Sequence, residues 1–359
     1  MNENYLLHNE TAKKLYFEYA KDLPIIALCS LRKPSDKVYN NLTEAFLRND
    51  VYKLDAMRHC RLDEKYITGD ASDYEKFKAF CSVLYKFAGH PIYLLSHIEL
   101  RSHFGCELEI NEQNCDAIWR EVNEYLLSNS VTEMALVEKT NTEYHYAVNY
   151  SWIQELDIND QIFDLPSLES TLLGHIKDAD DFGCKIALYN AFSSFVKPNP
   201  FLANEIVKGI KLKKMNYDLE DCDLVDMQIA RTLGMEYKRL GWTWLLSGNS
   251  IDEDAVRYLE QNNALPKTRC HIQYEVGQSE DHLELQFRGF AANKPIGSFI
   301  CTVNSADNCL CYARNDYLRR TLCSVIGKWI EDGEYTSDET VLKRLIEDIL
   351  YNNLKEAIG

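Results

Sequence analysis

Pro24-Ile25-Ile26-Ala27-Leu28-Cys29-Ser30-Leu31 has no hydrogen-bonding side chain before Ser30 apart from the thiol of Cys29. A run so short and apolar suits a parallel strand buried on both faces. Upstream, Thr11 to Leu23 reads as a helix with Leu15, Tyr16 and Tyr19 on one side, stopped by Pro24. Downstream, 33–40 is a turn region and Asn41 to Arg58 reads as helix. Ser72-Asp73-Tyr74-Glu75 is a capping box that opens a helix through Tyr85, and Pro91 to His103 makes another.

Further out the pattern alternates. Leu168 to Ile176, Ala203 to Ile210 and Ala230 to Leu240 have helical spacing. Gly241 to Leu246, Arg269 to Tyr274, Leu283 to Phe287 and Ser298 to Val303 read as strands. Tyr317 to Ile330 is an amphipathic helix. Thr336-Ser337-Asp338-Glu339 caps a last one, whose inner face is Leu342, Leu345, Ile346, Ile349 and Leu350. Strands alternating with helices predict an α/β architecture in a single domain over 1–359, without choosing between a barrel and an open sheet.

Bulk properties narrow the function. The 359 residues are 46% hydrophobic, enough for a large core, and carry a net charge of -17 from 56 acidic and 39 basic residues. Such a surface repels phosphate backbones and anionic lipid. The one basic run, Lys208 to Lys214, lacks neighbouring aromatics and reads as a solvated helix end or loop. Nucleic-acid and membrane partners are therefore not expected. The 12 cysteines include no Cys-x-x-Cys pair, and Met1 to Tyr5 does not open a signal peptide, so a reducing cytoplasm is expected.

Several irregular strings occur in order: Asn9-Glu10-Thr11-Ala12-Lys13-Lys14-Leu15-Tyr16; Tyr66 to Phe77 after Arg58; His97-Ile98-Glu99-Leu100 before Phe104-Gly105; Leu265-Pro266-Lys267-Thr268; Leu318-Arg319-Arg320-Thr321-Leu322-Cys323; Gly327 to Tyr335; and Asp348 to Asn353. In these the chain resembles the uronate (glucuronate) isomerases. The resemblance is dense over about the first 110 and last 95 residues and fragmentary between, as at Phe182-Gly183-Cys184-Lys185 and Gly241-Trp242.

That resemblance implies a (β/α)8 TIM-like barrel of the amidohydrolase kind, distorted or incomplete, with extra N- and C-terminal helices. It puts the first strand at 24–31, a helical insertion at 32–110, the last strand at 298–303 and C-terminal helices over 317–359. It implies an aldose–ketose isomerisation of glucuronate or galacturonate. There a base moves a proton between adjacent carbons, a divalent metal, typically zinc, polarises the oxygens, and cationic side chains hold the carboxylate.

The site strings of that family are altered here. Its His-x-His at the end of strand one falls on Leu28 and Ser30. Its Asp-His-Tyr-Lys-Trp-Arg reads Asp50-Val51-Tyr52-Lys53-Leu54-Asp55, so Val51 replaces a histidine and Asp55 an arginine, while Tyr52 is kept as a candidate substrate-binding residue. Leu188 and Tyr189 stand for an acidic residue and a histidine, and Leu246 for another histidine. Asn304 and Ala306 stand for an Asp and an Arg, with Asp307 close by in a shifted alignment. No catalytic residue and no metal are expected.

Weaker candidates have plainer readings. His97 reads as structural, and His271 and His282 as packing or surface residues. Cys29, Cys301, Cys309 and Cys311 read as buried thiols before a soft metal site. Asp55 with Lys53, and Glu99 with Arg101, read as exposed charge neighbours. The leading expectation is an isomerase homologue without catalysis that binds a partner or a sugar acid, the partner being itself or a paralogue. An active isomerase with a rebuilt site and a poorly folding relic are the alternatives.

Overall fold

The computed structural model describes residues 3–190, 195–212, 218–247, 252–292, 294–303 and 310–359. In chain order it runs α1 (Glu10–Lys14, widening to a π turn over Leu15–Ala20), β1 (Ile25–Cys29), α2 (Leu42–Phe46), α3 (Val51–His59), α4 (Asp73–Val83), α5 (Pro91–Phe104), α6 (Cys115–Ser128), α7 (Glu133–Lys139) and β2 (Thr142–Val148). Then follow α8 (Trp152–Ile158), α9 (Leu165–Asp181), β3 (Ile186–Asn190), α10 (Pro200–Lys211), α11 (Leu219–Leu240), β4 (Thr243–Ser247), α12 (Glu253–Gln261) and β5 (Lys267–Tyr274). The last elements are α13 (Glu280–Ala291), β6 (Ile300–Val303), α14 (Tyr312–Glu331), α15 (Glu339–Glu347) and α16 (Asn353–Ile358).

The strands lie in the sheet in the order of the chain, β1 to β6. From β2 to β5 the strands pair in parallel: Ala147 opposite Ile186, Ile186 opposite Thr243, Thr243 opposite Lys267. Sequential parallel strands joined by helices are the β/α barrel order. Six strands are present among the described residues, two fewer than the family plan.

Two readings need correction. Leu283 to Phe287 is helix, not strand. Ser279 receives the His282 N–H at 3.2 Å, as a helix start requires. Leu283, Phe287 and Phe290 are buried while Leu285 is exposed, so the spacing is helical and the apparent alternation was accidental. The helix expected over 41–58 is two. Asn41 caps α2, and Asp50 caps α3 by accepting from the N–H groups of Tyr52 (3.1 Å) and Lys53 (3.2 Å). The capping box at Ser72 forms as expected, with Glu75 Oε2 accepting from the Ser72 N–H at 2.9 Å.

Packing divides the chain into two compact units. One is Met1–His145, Gln273–Leu285 and Cys301–Asn352; the other is Tyr146–Ile272, Gln286–Ile300 and Asn353–Gly359. The first is held by a polar interlock between α1 and α14. Arg319 donates to the carbonyls of Ala20, Leu23 and Pro24 at 2.8–3.1 Å, closing the C-terminal end of the π turn. Asp316 accepts from the hydroxyls of Tyr5 and Tyr16 and from Arg320 Nε at 2.9 Å, and the Arg320 guanidinium lies 3.9 and 4.0 Å from the two tyrosine rings. Gly327 lets α1 in. A Cβ there would stand 2.9 Å from the Ala12 nitrogen and the Asn9 side-chain oxygen.

The second unit is built on apolar volume. Val148, Ala187, Trp244 and Leu246 point to one side of its sheet and pack with Leu168, Leu172, Ile206, Leu224 and Leu233 of the covering helices. Tyr237 stacks on Trp242 at 5.3 Å. On the strands β4 and β5, Thr243 donates to the Ala357 carbonyl at 2.7 Å and Lys267 to that of Glu356 at 2.8 Å, which seats α16.

Candidate functional site

A polar concavity in the first unit lies just past the C-terminal end of β1. Its volume is about 300 Å³, and Arg32, Ser35, Lys37, Glu44, Arg48, Asp50 and Glu133 line it. Its frame is local. The segment after β1 pairs with the chain entering α7, through Tyr39 N–H to Val131 C=O (3.0 Å) and Met134 N–H to Ser35 C=O (3.2 Å). That pairing brings Arg32 onto the buried Glu133 in a two-pronged bond of 2.8 and 3.0 Å, and the Ser35 N–H adds a third at 2.9 Å.

Asp50 joins this pocket to a buried charge network. Besides capping α3, its carboxylate lies 3.2 Å from Lys53 Nζ and 3.6 Å from Arg314. Lys53, 1% exposed, also bonds Glu99 and donates to the Phe46 carbonyl at 2.9 Å. Lys53 and Glu99 are therefore not exposed charge neighbours of Asp55 and Arg101. They are each other's buried partners, and the pairing was hidden because it joins α3 to α5. Burial pushes the Asp50 pKa up, but Lys53 and Arg314 outweigh it and hold the carboxyl below its usual value. At Glu99 burial wins over the pull of Lys53, and the pKa is raised. The pocket's cations and anions are thus largely matched to each other, and no histidine or cysteine is among its lining residues. It suits a small polar ligand better than proton transfer near neutral pH.

The residues singled out by the sequence are dispersed. Leu28 is buried in β1 and Ser30 half-buried after it. Val51 is exposed on the first turn of α3, and Asp55 is exposed and paired with Arg58 at 2.8 Å. The Tyr52 ring lies 5.0 Å from the Arg314 guanidinium and is not among the residues lining the pocket. In β3 Leu188 is half-buried, and Tyr189 meets Trp244 edge to face at 5.0 Å. Leu246 is in the helix-facing core of the second unit, a direction from which no side chain reaches a strand-end site. Asn304, Ala306, Asp307 and Cys309 lie outside the described residues.

His97 is held at both nitrogens, by the Tyr93 carbonyl at 2.7 Å and the Ile110 N–H at 3.0 Å. His271 is fully buried on β5, and burial lowers its pKa to about 4. His282 is exposed on α13. Cys29, Cys301 and Cys311 are buried. Among the described residues no three His, Cys, Asp or Glu side chains form a group able to hold a metal. No helix there is long and apolar enough to cross a membrane. The Arg32–Glu133 pocket was missed from sequence because its two anchors are 101 residues apart.

A sequential parallel β/α sheet with a polar pocket at a strand's C-terminal end defines a barrel-type α/β protein. Within that class the chain belongs to the glucuronate isomerase family, whose model matches residues 1–149 and 275–357. It is 27% identical to a uronate isomerase of Caldicellulosiruptor bescii over 472 aligned positions, covering 100% of this chain and 99% of the relative. It is 28% identical to one from Caldanaerobacter subterraneus over 464 positions, with the same coverage. Both alignments are about a hundred positions longer than this 359-residue chain, so the shortening is internal. Crystal structures of uronate isomerase from Thermotoga maritima (TM-score 0.76, 17% identity, 100% of this chain and 99% of that one) and of glucuronate isomerase from Caulobacter crescentus (0.78, 14%, 100% and 96%) share the fold.

Proposed function

We propose that this family member has given up metal-dependent isomerisation and uses the inherited scaffold for binding and assembly in the cytoplasm. The observation that carries the reading is β1. Where the resemblance puts two metal-binding histidines, the strand ends in Leu28, a buried hydrocarbon side chain, and Ser30, a poor substitute for imidazole. Leu188, Val51 and Asp55 extend the same reading to the acidic residue, the substrate-facing histidine and the carboxylate clamp. Asp55 offers an exposed negative charge where a sugar acid needs a positive one. The residues described at these positions do not fit a divalent metal. Arg32, Lys37 and Arg48 on the wall of the β1 pocket are the cationic donors a sugar-acid ligand would use there without turnover, and the assembly partner is a second copy or a paralogue.

The test is direct. Purified protein supplied with zinc, manganese or cobalt is incubated with glucuronate and with galacturonate. No keto-uronate above the metal-only blank is expected, and metal analysis after dialysis should give well under one ion per chain. Turnover abolished by a chelator would overturn the reading.

A further inference from the structure

We propose that α10 is a self-complementary docking face on which two copies of this chain pair antiparallel about a twofold axis. The inference rests on the assembly reading above and names its surface. The buried side of α10 is Ala203, Ile206 and Val207. Its outward stripe is Phe201, Glu205, Lys208 and Leu212, residues one helical turn apart. Phe201 is 76% exposed and Leu212 60%, so two large apolar side chains on one stripe face solvent.

The order along the stripe is apolar, acid, base, apolar, and it is symmetric about the middle of the helix. A twofold-related copy running antiparallel sets Phe201 of one chain against Leu212 of the other, and Glu205 against Lys208, twice over. In such a closed interface every contact of residue i with residue j is repeated as j with i. Within one chain Glu205 and Lys208 already lie 3.3 Å apart, so pairing would join them into a four-charge ring.

The face widens beside the helix. Lys211 Nζ bonds the carbonyls of Leu156 (2.6 Å) and Asn159 (2.9 Å), which ties the end of α8, where Ile158 is 78% exposed, to the C-terminal end of α10. Asn204 accepts the Leu165 N–H at 3.0 Å, which ties the start of α9, two residues after Phe163 (66% exposed), to the N-terminal half of α10. Four large side chains so exposed leave on the order of 500 Å² of apolar surface, the size at which a patch marks an interaction site. With a polar rim this approaches the ~800 Å² per partner of a standard interface. A chain of net charge -17 repels its copies over most of its surface, so self-association needs a face whose own charges balance, and this stripe provides one.

Sedimentation from 1 to 100 µM tests it. Wild-type protein should show a concentration-dependent dimer. Phe201→Asp should weaken it by about a hundredfold, while Tyr85→Asp, at an exposed position of the first unit, should not. Glu205→Lys or Lys208→Glu alone should weaken the dimer by about tenfold, and the two together should restore it, because the swapped charges again face each other. Circular dichroism would confirm that each variant keeps its helix content. A dimer indifferent to Phe201→Asp, or single reversals that the double does not rescue, would overturn this face and leave self-assembly standing. A monomer at all concentrations would overturn both, and neither result bears on the loss of catalysis.

Discussion

The two units of this chain have been held to the family plan by different physics. The family model matches residues 1–149 and 275–357, which takes in nearly all of the first unit and little of the second. The first unit is fixed by directional contacts. Arg319 reaches four carbonyls, Asp316 gathers three donors, and a glycine admits a neighbouring helix. Each needs one particular side chain, so the sequence has little freedom there. The second unit is filled mainly by leucine, isoleucine and tryptophan, where many combinations of equal volume serve. Specific polar geometry keeps a family legible; apolar packing keeps a fold while the sequence drifts.

That contrast breaks most visibly at Asp316. Replacing it with alanine takes the carboxylate from Arg320 and the acceptor from two tyrosine hydroxyls in a buried setting, and should cost about 3–5 kcal/mol in urea unfolding. A loss below about 1 kcal/mol would mean the interlock is ornamental. The next largest effect compares two helix glycines, one per unit. A Cβ on Gly234 would stand 2.0 Å from the Ala264 carbonyl oxygen, too close for any side-chain shift to relieve. Gly234→Ala should cost about 3 kcal/mol despite the gain in helix propensity. Gly327→Ala, with its closest approach at 2.9 Å, should cost about 1–2 kcal/mol. The reverse order would make the α1–α14 contact the tighter of the two.

The second unit also carries two buried groups that titrate in opposition. His271 falls from 6.5 to about 4 through burial, so an unfolded chain binds its proton more readily and stability drops as pH falls through that window. Asp226, bonded by Trp152 Nε1 at 2.5 Å, is raised from 3.8 to about 6 chiefly by burial, so the folded chain binds the proton more readily and stability rises as pH falls from about 6 to 4. Between pH 6 and 4 the two largely cancel. Asp226→Asn should therefore lose up to about 1.4 kcal/mol per pH unit relative to wild type on acidification, and His271→Gln should gain a similar amount. Parallel pH profiles for all three proteins would show that neither group is shielded as the structure places it.

Sequence made the regular parts of this fold readable. Pro24 and the apolar run after it marked β1, Ser72 and Glu75 marked the start of α4, and the spacing of Leu342, Leu345 and Ile346 marked α15. β2 and β3 were not read as strands. The first is half-buried over most of its length, and the second offers only Ile186-Ala187-Leu188 as an apolar run before Tyr189-Asn190, so neither offers a clean period. The site was less legible than the fold. Lys53 and Glu99 looked like surface charges because a helix shows its i+4 neighbours in sequence and hides its partners on another helix. The same holds for Arg32 and Glu133. Charge partners set by tertiary contact leave no local trace.

The smallest effect separates a retained signal from a lost one within the matched region. Ser72 Oγ and Glu75 form a reciprocal cap, and Ser72→Ala should cost about 1 kcal/mol by freeing one helix N–H. Asp55 stands where the resemblance puts an arginine, yet it is 58% exposed and touches only the neighbouring turn through Arg58. Asp55→Ala should change stability by less than about 0.5 kcal/mol, as exposed pairs do. The ranking follows from what each side chain replaces: a capping serine satisfies a backbone group that water would otherwise have to reach, whereas an exposed carboxylate only exchanges one solvated partner for another. A larger loss at Asp55 than at Ser72, read from urea midpoints at fixed salt, would mean that the reversed charge has been recruited to hold α3, and its position would no longer count as a clamp simply given up.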